Sequence, residues 1–545
     1  MPEPPLAPDA FDLVALAPSV VLTIWGLVVL AVDFGGMRGL PSARRGQVLG
    51  LVALVGVLLA LVACALPEYP GWGSRAGREP ALFLGAAMGG PLVEWSNALI
   101  VVLLGLVVAL SSSWAFTEHW GEYFALTLWA GVGMMLLVAS EELLTLFLAL
   151  EMMTICLYLL TAFEKGRPRS PEAGLKYFVY GSASSALFLF GLSLIYGLTG
   201  TTRLAGIGQA LMAGGAQTGL AGDLAGSMAV LLILVGFGFK VAAVPFHQWA
   251  PDVYEGAPAP VSAWIATGSK VASVLALLKV MIQALGPYAN RPDSLTGPGW
   301  VGLVALIAAA TMTYGNFAAL AQTNLKRMLA YSSIAHAGYL LVGVLAAAVS
   351  VEPAAAAGSV LFYLVVYAFT NLGAFAVAAW LCRDGQSEEI ADLDGLGSRS
   401  PLLAACIVLL MLSLIGLPPL AGFFGKLFLF MEALNAAPRH RLTFLWLVML
   451  ALFNSVVSAF YYTRVLKALF LRPTRTDSGR KATPAVAASI ALATLVAVGF
   501  GVYARPLADG AVRMGRSRMF TVGGKVEPDA MVEGRGPSPR EDAGR

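Results

Sequence analysis

Long apolar segments recur along the whole chain, and they restrict its fold more than any other feature. Many runs reach about 20 mostly apolar residues, the length that a helix needs to cross the hydrocarbon core of a bilayer. Barrel strands would alternate apolar and polar residues instead. Charged residues make up only 12% of the chain and hydrophobic ones 58%, whereas soluble domains carry about 25% charged residues. The sequence therefore predicts an all-α polytopic membrane protein.

We predict about fourteen transmembrane helices. The first apolar run follows a start without Lys or Arg and has no small-residue cleavage pattern, which favours a membrane helix over a signal peptide. The residues after 504 are polar and rich in Gly, Pro and Arg, which predicts a disordered tail over 505–545. The predicted helices lie near 12–32, 48–66, 95–115, 122–139, 143–163, 172–199, 227–248, 258–284, 300–321, 327–349, 356–382, 401–434, 443–471 and 484–503.

Basic residues in the predicted loops indicate the orientation, because cytoplasmic loops carry an excess of Lys and Arg. One set of loops holds fourteen of them and the opposite set six. The richer set should face the cytoplasm, which places both termini on the periplasmic side. The richer set consists of Arg38, Arg44, Arg45, Lys165, Arg167, Arg169, Lys326, Arg327, Arg383, Arg399, Arg472, Arg475, Arg480 and Lys481.

Motifs for cofactors are missing from the sequence. The four cysteines form no CxxC pair, the four histidines are scattered, and there is no phosphate-binding loop or dinucleotide fingerprint. The net charge of +3 and the absence of a basic-aromatic patch argue against nucleic acid. We therefore expect no metal, flavin or nucleotide in this chain, and energy from an ion gradient or a partner.

Five ionisable residues fall deep inside predicted helices: Glu151, Lys240, Lys270, His336 and Lys426. A charge at the bilayer centre costs at least about 2.5 kcal/mol, so such residues are candidates for function. The basic side chains among them are lysines and a histidine, which can release a proton, whereas arginine cannot. The pattern predicts a series of proton-transfer groups. The alternative for each residue is a buried structural contact that fixes helix register.

Two further basic residues are assigned to the membrane interface. Lys279 lies nine residues beyond Lys270 and is expected to extend its ammonium group to the interface. Arg464 follows two tyrosines near a helix end, a pattern typical of interfacial anchoring. Glu141 and Glu142 begin a helix, where carboxylates suit the helix dipole, and receive no chemical role.

Glycine and proline interrupt two helices beside their lysines. Pro245 follows Lys240, and the pair Pro418 and Pro419 precedes Lys426. Interruption at membrane depth points to an ion path in transporters. The two breaks are five helices apart, which predicts two inverted five-helix repeats over 122–284 and 300–472, after a three-helix segment, 1–121, and before a final helix in 473–504. Unrelated proline kinks are the alternative.

Three stretches carry a resemblance to a known family. They are FGFKVAAVPFHQWAPDVYEGAPAPVSAWIATGSK from Phe237, NLKRMLAYSSIAHAGY from Asn324 and LPPLAGFFGKLFLF from Leu417. Together with the flanks of Glu151, they resemble the antiporter-like subunit N family of proton-pumping NADH:quinone oxidoreductase, respiratory complex I. The sister subunit M resembles this pattern but carries glutamate where this chain has Lys426.

The resemblance implies roles and partners. Glu151, Lys240, Lys270, His336 and Lys426 match the family's proton-transfer positions. The chain would be a proton-translocating subunit without its own redox centre, in contact with subunits M, K and J, in a bacterial plasma membrane. NADH, FMN, iron–sulfur clusters and quinone would belong to partner subunits. A cation/proton antiporter subunit and a structural membrane scaffold stay open as alternatives.

Overall fold

The computed structural model describes residues 16–65, 81–82, 86–113, 115–213, 220–289, 299–350, 353–382, 388–436, 438–473 and 482–520. Within them the protein is almost entirely helical. One two-stranded antiparallel sheet joins β1 (Ala81–Leu82) to β2 (Ala87–Met88). The helices of the first half of the chain are α1 (Ala17–Phe34), α2 (Ser42–Ala65), α3 (Pro91–Ser111), α4 (Trp120–Ala139), α5 (Leu143–Thr161), α6 (Arg169–Thr199), α7 (Leu204–Ala213), α8 (Leu220–Val241), α9 (Trp249–Gly256) and α10 (Ala259–Ala284).

The second half of the chain continues the all-α architecture. Short 3-10 turns and the one-turn helix Leu396–Arg399 lie between the long helices. The remaining helices are α11 (Val301–Leu320), α12 (Leu325–Val349), α13 (Pro353–Leu381), α14 (Pro401–Ile415), α15 (Ala421–Asn435), α16 (Arg441–Leu471), α17 (Pro484–Val502) and α18 (Arg505–Gly515).

Thirteen helices in the described residues are long and apolar enough to cross a membrane. The fourteenth predicted segment, 401–434, consists instead of the two shorter helices α14 and α15. Gly416 ends α14 with a φ of 89°, a left-handed conformation that glycine adopts without strain. The predicted polytopic all-α fold is therefore confirmed, and the predicted break in this segment is a complete separation of two half-helices.

Three helices form the centre of the molecule. The apolar stretches of α10 and α13 are buried along their whole length, and that of α12 almost entirely. By contrast, α2, α6 and α16 leave most of their apolar surface exposed, as helices in contact with lipid do. Lys270, Lys279 and His336 on these helices are consequently enclosed by protein.

Helices α4 to α6 and α11 to α13 share a set of matched contacts. Glu142 begins α5 and Asn324 begins α12, and each side chain accepts a hydrogen bond from the backbone three residues on. Each of these capping residues also pairs as an isolated antiparallel bridge with a residue that follows the next helix, Arg203 in one case and Glu389 in the other. The two helix pairs are thus joined in the same way.

Two glycines extend this match into the helices. Gly133 lies nine residues before Glu142, and a Cβ there would come within 2.5 Å of the backbone nitrogen of Met153. Gly315 lies nine residues before Asn324, and a Cβ there would come within 2.6 Å of the nitrogen of Ala335. Met153 and Ala335 each lie eleven residues after the capping residue. In this common register Glu151 of α5 corresponds to Ser333 of α12, and Thr154 to His336.

The predicted disorder of the tail is wrong for its first part. Residues 505–515 form α18, which has a proline in its first turn. Backbone N–H groups in the first turn of a helix have no intrahelical acceptor, so the N–H that proline lacks costs no hydrogen bond there. The helix packs against α13, with Gly358 close to the backbone of Val512 and Gly515 close to Ala354. The polar composition of this segment alone predicts that it is solvated and disordered. The small residues at its contact with α13 instead allow the two helices to pack closely, and this packing stabilises α18. Residues 521–545 lie outside the described residues.

Candidate functional site

Lys240 lies in the last turn of α8, immediately before the chain breaks. Its ammonium group donates a hydrogen bond of 2.5 Å to Thr154 Oγ1 on α5, and its Nζ lies 5.6 Å from the ring centroid of Tyr158 and 5.2 Å from that of Phe239. Thr154 Oγ1 in turn donates to the carbonyl of Leu150. The lysine is therefore buried against two rings and held by one hydroxyl.

Glu151 lies one turn before Thr154 on α5, at the middle of the helix. Its carboxylate accepts a hydrogen bond of 2.5 Å from Ser185 Oγ on α6, and it interacts electrostatically with Lys240. Among the described residues, however, Lys240 donates to Thr154 rather than to this carboxylate. Glu151 and Lys240 are therefore neighbouring charges that bind different hydroxyls, and Glu151 itself is only half-buried.

Lys270 lies near the middle of α10, directly after a π-helical turn over Ile265–Ser269. Such turns widen the helix and are frequent at functional sites. The Nζ of Lys270 donates to the carbonyl oxygen and to the Oγ of Ser333 on α12, at 2.6 Å each. Ser333 Oγ is 2.7 Å from the hydroxyl of Tyr367 on α13. Lys270 thus begins a hydrogen-bonded chain through all three central helices.

His336 lies one turn beyond Ser333 on the same helix. Its Nδ1 is 2.6 Å from the hydroxyl of Tyr363, and its ring centroid lies 5.3 Å from that of Tyr367. Tyr363 and Tyr367 are four residues apart on α13 and therefore share one face. Of the five predicted residues, His336 is the one that electrostatic interactions join to both Lys270 and Lys426.

Lys426 lies in α15, just after the separation of the two half-helices. Its Nζ donates to the carbonyls of Ile415 at 2.8 Å and Leu414 at 3.3 Å, and to Ser455 Oγ at 3.2 Å. These carbonyls end α14, where helix carbonyls lack intrahelical partners and carry partial negative charge. The side chain passes Gly416, where a Cβ would lie 3.0 Å from Lys426 Cδ. Glycine is thus required at position 416 for two reasons: the turn has a positive φ, and the side chain of Lys426 needs the space that a Cβ would occupy.

A small cavity of about 10 Å³ connects the last two residues of this series. It lies between α12, α13, α14 and α15, and its lining includes His336, Tyr363, Tyr367 and Lys426. A cavity needs about 10–15 Å³ on this measure to hold one water molecule. The space between the histidine and the terminal lysine is therefore just large enough for a single bridging water.

Four hydroxyl residues that the sequence pattern does not single out complete the series: Thr154, Ser333, Tyr363 and Tyr367. Serine, threonine and tyrosine are common in membrane helices, so no single one stands out in a sequence. The available signal was the pair Tyr363 and Tyr367 at helical spacing inside an otherwise apolar segment. Only the packing of α13 against α12 shows that these hydroxyls meet Ser333 and His336.

The prediction for Lys279 is wrong, whereas interfacial anchoring of Arg464 stays a prediction. Lys279 is 1% exposed, and its ammonium group lies 3.4 Å from the carboxylate of Glu141 instead of reaching an interface. The two tyrosines before Arg464, which would have formed an aromatic belt, are completely buried. Arg464 donates to two backbone carbonyls at the end of α11.

An ionic cluster centred on Glu388, a loop residue after α13, joins the first and second halves of the chain. Glu388 accepts from Arg167 Nη1 at 2.5 Å and lies 3.0 Å from Lys326 Nζ. Burial alone would raise the pKa of Glu388, but Lys326 and Arg167 outweigh burial and lower this pKa to about 2. Arg167 belongs to the loop after α5 and Lys326 to the start of α12, so this carboxylate stabilises the contact between the halves as an anion.

These features define the class: a polytopic membrane protein whose buried lysines, histidine and hydroxyls form a polar series through its apolar centre. The family model described as NADH:quinone oxidoreductase/Mrp antiporter, TM, matches residues 140–458. Subunit N 2 of NADH-quinone oxidoreductase from Symbiobacterium thermophilum is 40% identical over 507 residues, 90% of this chain and 94% of the relative. The homologue of the same name from Acidobacterium capsulatum is 41% identical over 484 residues, covering 86% and 92%.

A solved structure agrees with these relatives. A chain of respiratory complex I from Thermus thermophilus with bound aureothin has 32% sequence identity and a TM-score of 0.71, over 90% of this chain and 98% of that one. The chain therefore belongs to the family of NADH:quinone oxidoreductase and Mrp antiporter membrane subunits, and its curated relatives are subunit N proteins. The resemblance of the three sequence stretches is confirmed.

Proposed function

We propose that this chain is the proton-translocating N subunit of an NADH:quinone oxidoreductase, and that Glu151, Lys240, Lys270, His336 and Lys426 carry the protons. The observation that carries the proposal is the nearly continuous polar series from Lys270 to Lys426 through helices that are otherwise apolar. A structural scaffold needs isolated ion pairs, whereas this series pairs its lysines with hydroxyls and carbonyls. Such neutral partners do not hold the lysines in the charged state as a carboxylate would.

The hydroxyls provide the steps between the ionisable groups. A proton that leaves Lys270 Nζ is accepted by Ser333 Oγ, which passes its own proton to the hydroxyl of Tyr367. Tyr367 and His336 both line the cavity, where a bridging water with polar partners completes the transfer. His336 then delivers a proton across the same cavity to Lys426. Each hydroxyl accepts one proton as it gives one up, so its charge is unchanged after the transfer.

The first half of the path supplies or receives the proton at Lys240. Thr154 holds this lysine, and the Glu151 charge lies nearby. A nearby carboxylate favours the protonated lysine, and a loss of this interaction favours release of the proton. Glu151 is therefore the residue through which a signal from outside the chain would control Lys240.

The energy for this movement must come from partners. We infer that the chain lies in a bacterial plasma membrane, with both termini on the periplasmic side and subunits M, K and J as neighbours. NADH, FMN, iron–sulfur clusters and quinone belong to partner subunits in this proposal. Support for it comes from the subunit N names of the relatives and from the basic residues of the predicted cytoplasmic loops.

The test uses membranes that contain the assembled complex with Lys240→Met. NADH:quinone turnover and the pH gradient are followed together, with the amount of complex measured on a native gel. We expect both activities to fall at least about tenfold while assembly is retained, because methionine preserves the stem but carries no proton. Normal turnover and pumping would leave Lys240 structural and favour the scaffold. Sodium-dependent pH changes without NADH oxidation would favour the antiporter.

A further inference from the structure

Two basic residues outside the polar series occupy equivalent places in two units, α4–α10 and α11–α16, whose first three helices share the matched contacts. Lys279 lies near the end of α10, the last helix of the first unit, and donates to the carbonyls of Val138 and Ser140. Arg464 lies near the end of α16, the last helix of the second unit, and donates to the carbonyls of Ala319 and Gln322.

The acceptors correspond as closely as the donors. Val138 is the penultimate residue of α4, the first helix of its unit, and Ala319 is the penultimate residue of α11. The second acceptor in each case lies just beyond the helix end. The last carbonyls of a helix lack intrahelical partners and attract cations. In both units, therefore, a cationic side chain of the last helix caps the C-terminal end of the first helix.

We propose that Lys279 and Arg464 are permanently charged clamps, and that they position the proton path without carrying protons. The argument rests on residue type, because one unit uses lysine at this place and the other uses arginine. Arginine is not deprotonated in proteins. A role that arginine fulfils in one unit cannot depend on release of a proton, so the equivalent lysine needs only its charge and its donors.

Each clamp fixes helices that carry partners of the path. Lys279 ties α10, which holds Lys270, to the turn before α5, which holds Glu151 and Thr154. The carboxylate of Glu141 in that turn lies 3.4 Å from the Lys279 ammonium group, and the backbone N–H of Glu141 donates to Ala86 beside β2. Arg464 ties α16, which holds Ser455, to the turn before α12.

The test compares conservative and non-conservative variants in the assembled complex. Lys279→Arg and Arg464→Lys should retain pumping and turnover within about twofold, with unchanged pH profiles, since each keeps a charged donor. Lys279→Met should reduce the amount of assembled complex at least about tenfold, because it removes the cation from the carbonyls that end α4 and from the buried carboxylate nearby. Loss of pumping in an assembled Lys279→Arg complex would overturn the proposal.

Glu141→Gln decides the question if the larger arginine side chain prevents assembly. The amide preserves shape, and both backbone acceptors of Lys279 remain. A clamp predicts turnover within about twofold and an unchanged pH profile, because the carbonyls of Val138 and Ser140 still accept hydrogen bonds from Lys279 Nζ. If Lys279 exchanged protons with Glu141, the variant would lose pumping or shift the profile. Lys270→Arg serves as the control: if it pumps normally, the proposed proton path fails while the clamps still stand.

Discussion

The first unit (α4–α10) and the second (α11–α16) share matched contacts in their first three helices, but they build different kinds of polar centre. In the first unit the key position of α5 is Glu151, a half-buried carboxylate, and Lys240 has one hydroxyl partner. In the second unit the corresponding position of α12 is Ser333, which is completely enclosed and joins Lys270 to Tyr367. One unit therefore keeps a charge near the outside of the chain, and the other keeps a neutral relay inside it.

This difference indicates a division of labour. A carboxylate near the surface can respond to charges outside the chain, because Coulomb interactions act over several ångströms. Neutral hydroxyls cannot respond in this way, but they pass protons without a change of charge. We expect the first unit to receive the signal and the second to conduct. The predictions below test this division, from the largest expected effect to the smallest.

Lys270 joins the two units, so its variant should have the largest effect. Lys270→Arg keeps the charge and the donors to Ser333 but cannot release a proton. We expect pumping to fall by about a hundredfold, the scale of a lost proton-transfer group. Vesicles that contain the complex would be assayed for NADH:quinone turnover and for the pH gradient. Normal pumping by the assembled Lys270→Arg complex would show that Lys270 does not lie on the proton path.

Glu388 tests the contact between the units without touching the path. Its pKa of about 2 is below its ordinary value of 4.5, so its stabilisation is complete above about pH 4.5 and disappears as the pH falls towards 2. Glu388→Gln should lower the free energy of unfolding at pH 7 by roughly 3 kcal/mol, measured by thermal unfolding of the purified complex. Pumping per remaining complex should be unchanged.

The exposed Glu172, which pairs with Lys176 one turn away, provides the matched control for this prediction. Glu172→Gln should change stability by less than about 0.5 kcal/mol, because surface pairs contribute little. If both glutamine variants behaved alike, or if the loss of stability at acid pH persisted in Glu388→Gln, the cluster would not hold the units together.

The hydroxyl relay of the second unit should show intermediate effects. Ser333→Ala and Tyr367→Phe each remove one hydroxyl, and we expect pumping to fall roughly two- to tenfold, the size of one hydrogen bond. Initial rates of proton uptake or release provide the measurement. Ser332→Ala is the control, because its hydroxyl pairs with Tyr462 away from the path. Equal effects of Ser332→Ala and Ser333→Ala would mean that packing, and not proton transfer, explains the loss.

The smallest predicted difference separates the two lysines beside the breaks. Lys426 neutralises two carbonyls at the end of α14, whereas Lys240 has a single hydroxyl acceptor. Lys426→Met should therefore destabilise the complex by about 1 kcal/mol more than Lys240→Met. The midpoints of thermal unfolding would reveal it. A larger loss for Lys240→Met would mean that the break after α8 depends on its lysine more than the break after α14 does.

Hydropathy and residue type predicted most of the fold from the sequence alone. Apolar length identified the spans because the bilayer demands it, and glycine and proline identified the break beside Lys426 because both disrupt helices. Site residues such as Lys270 stood out because charge is rare in apolar helices. Their partners could not be predicted in this way: Ser333 and Tyr367 are far apart in sequence and meet only when α12 and α13 pack together.

The errors have the same origin. Lys279 was assigned to the interface from its distance along the helix from Lys270, but its surroundings depend on where the turn after α4 lies. The first turns of the predicted tail were judged by composition, whereas the small residues Gly358 and Gly515 allow α18 to approach α13 closely. Sequence patterns describe one element at a time, and these features arise between elements.

The attachment of Lys426 to the end of α14 couples the proposed proton chemistry to the geometry of the break. The charged lysine ties the two half-helices together across Gly416 through the carbonyls of Leu414 and Ile415. If Lys426 carries protons as proposed, each deprotonation removes the cation from these carbonyls and weakens the tie. The position of α14 against α15 would then depend on whether the last proton site is loaded or empty.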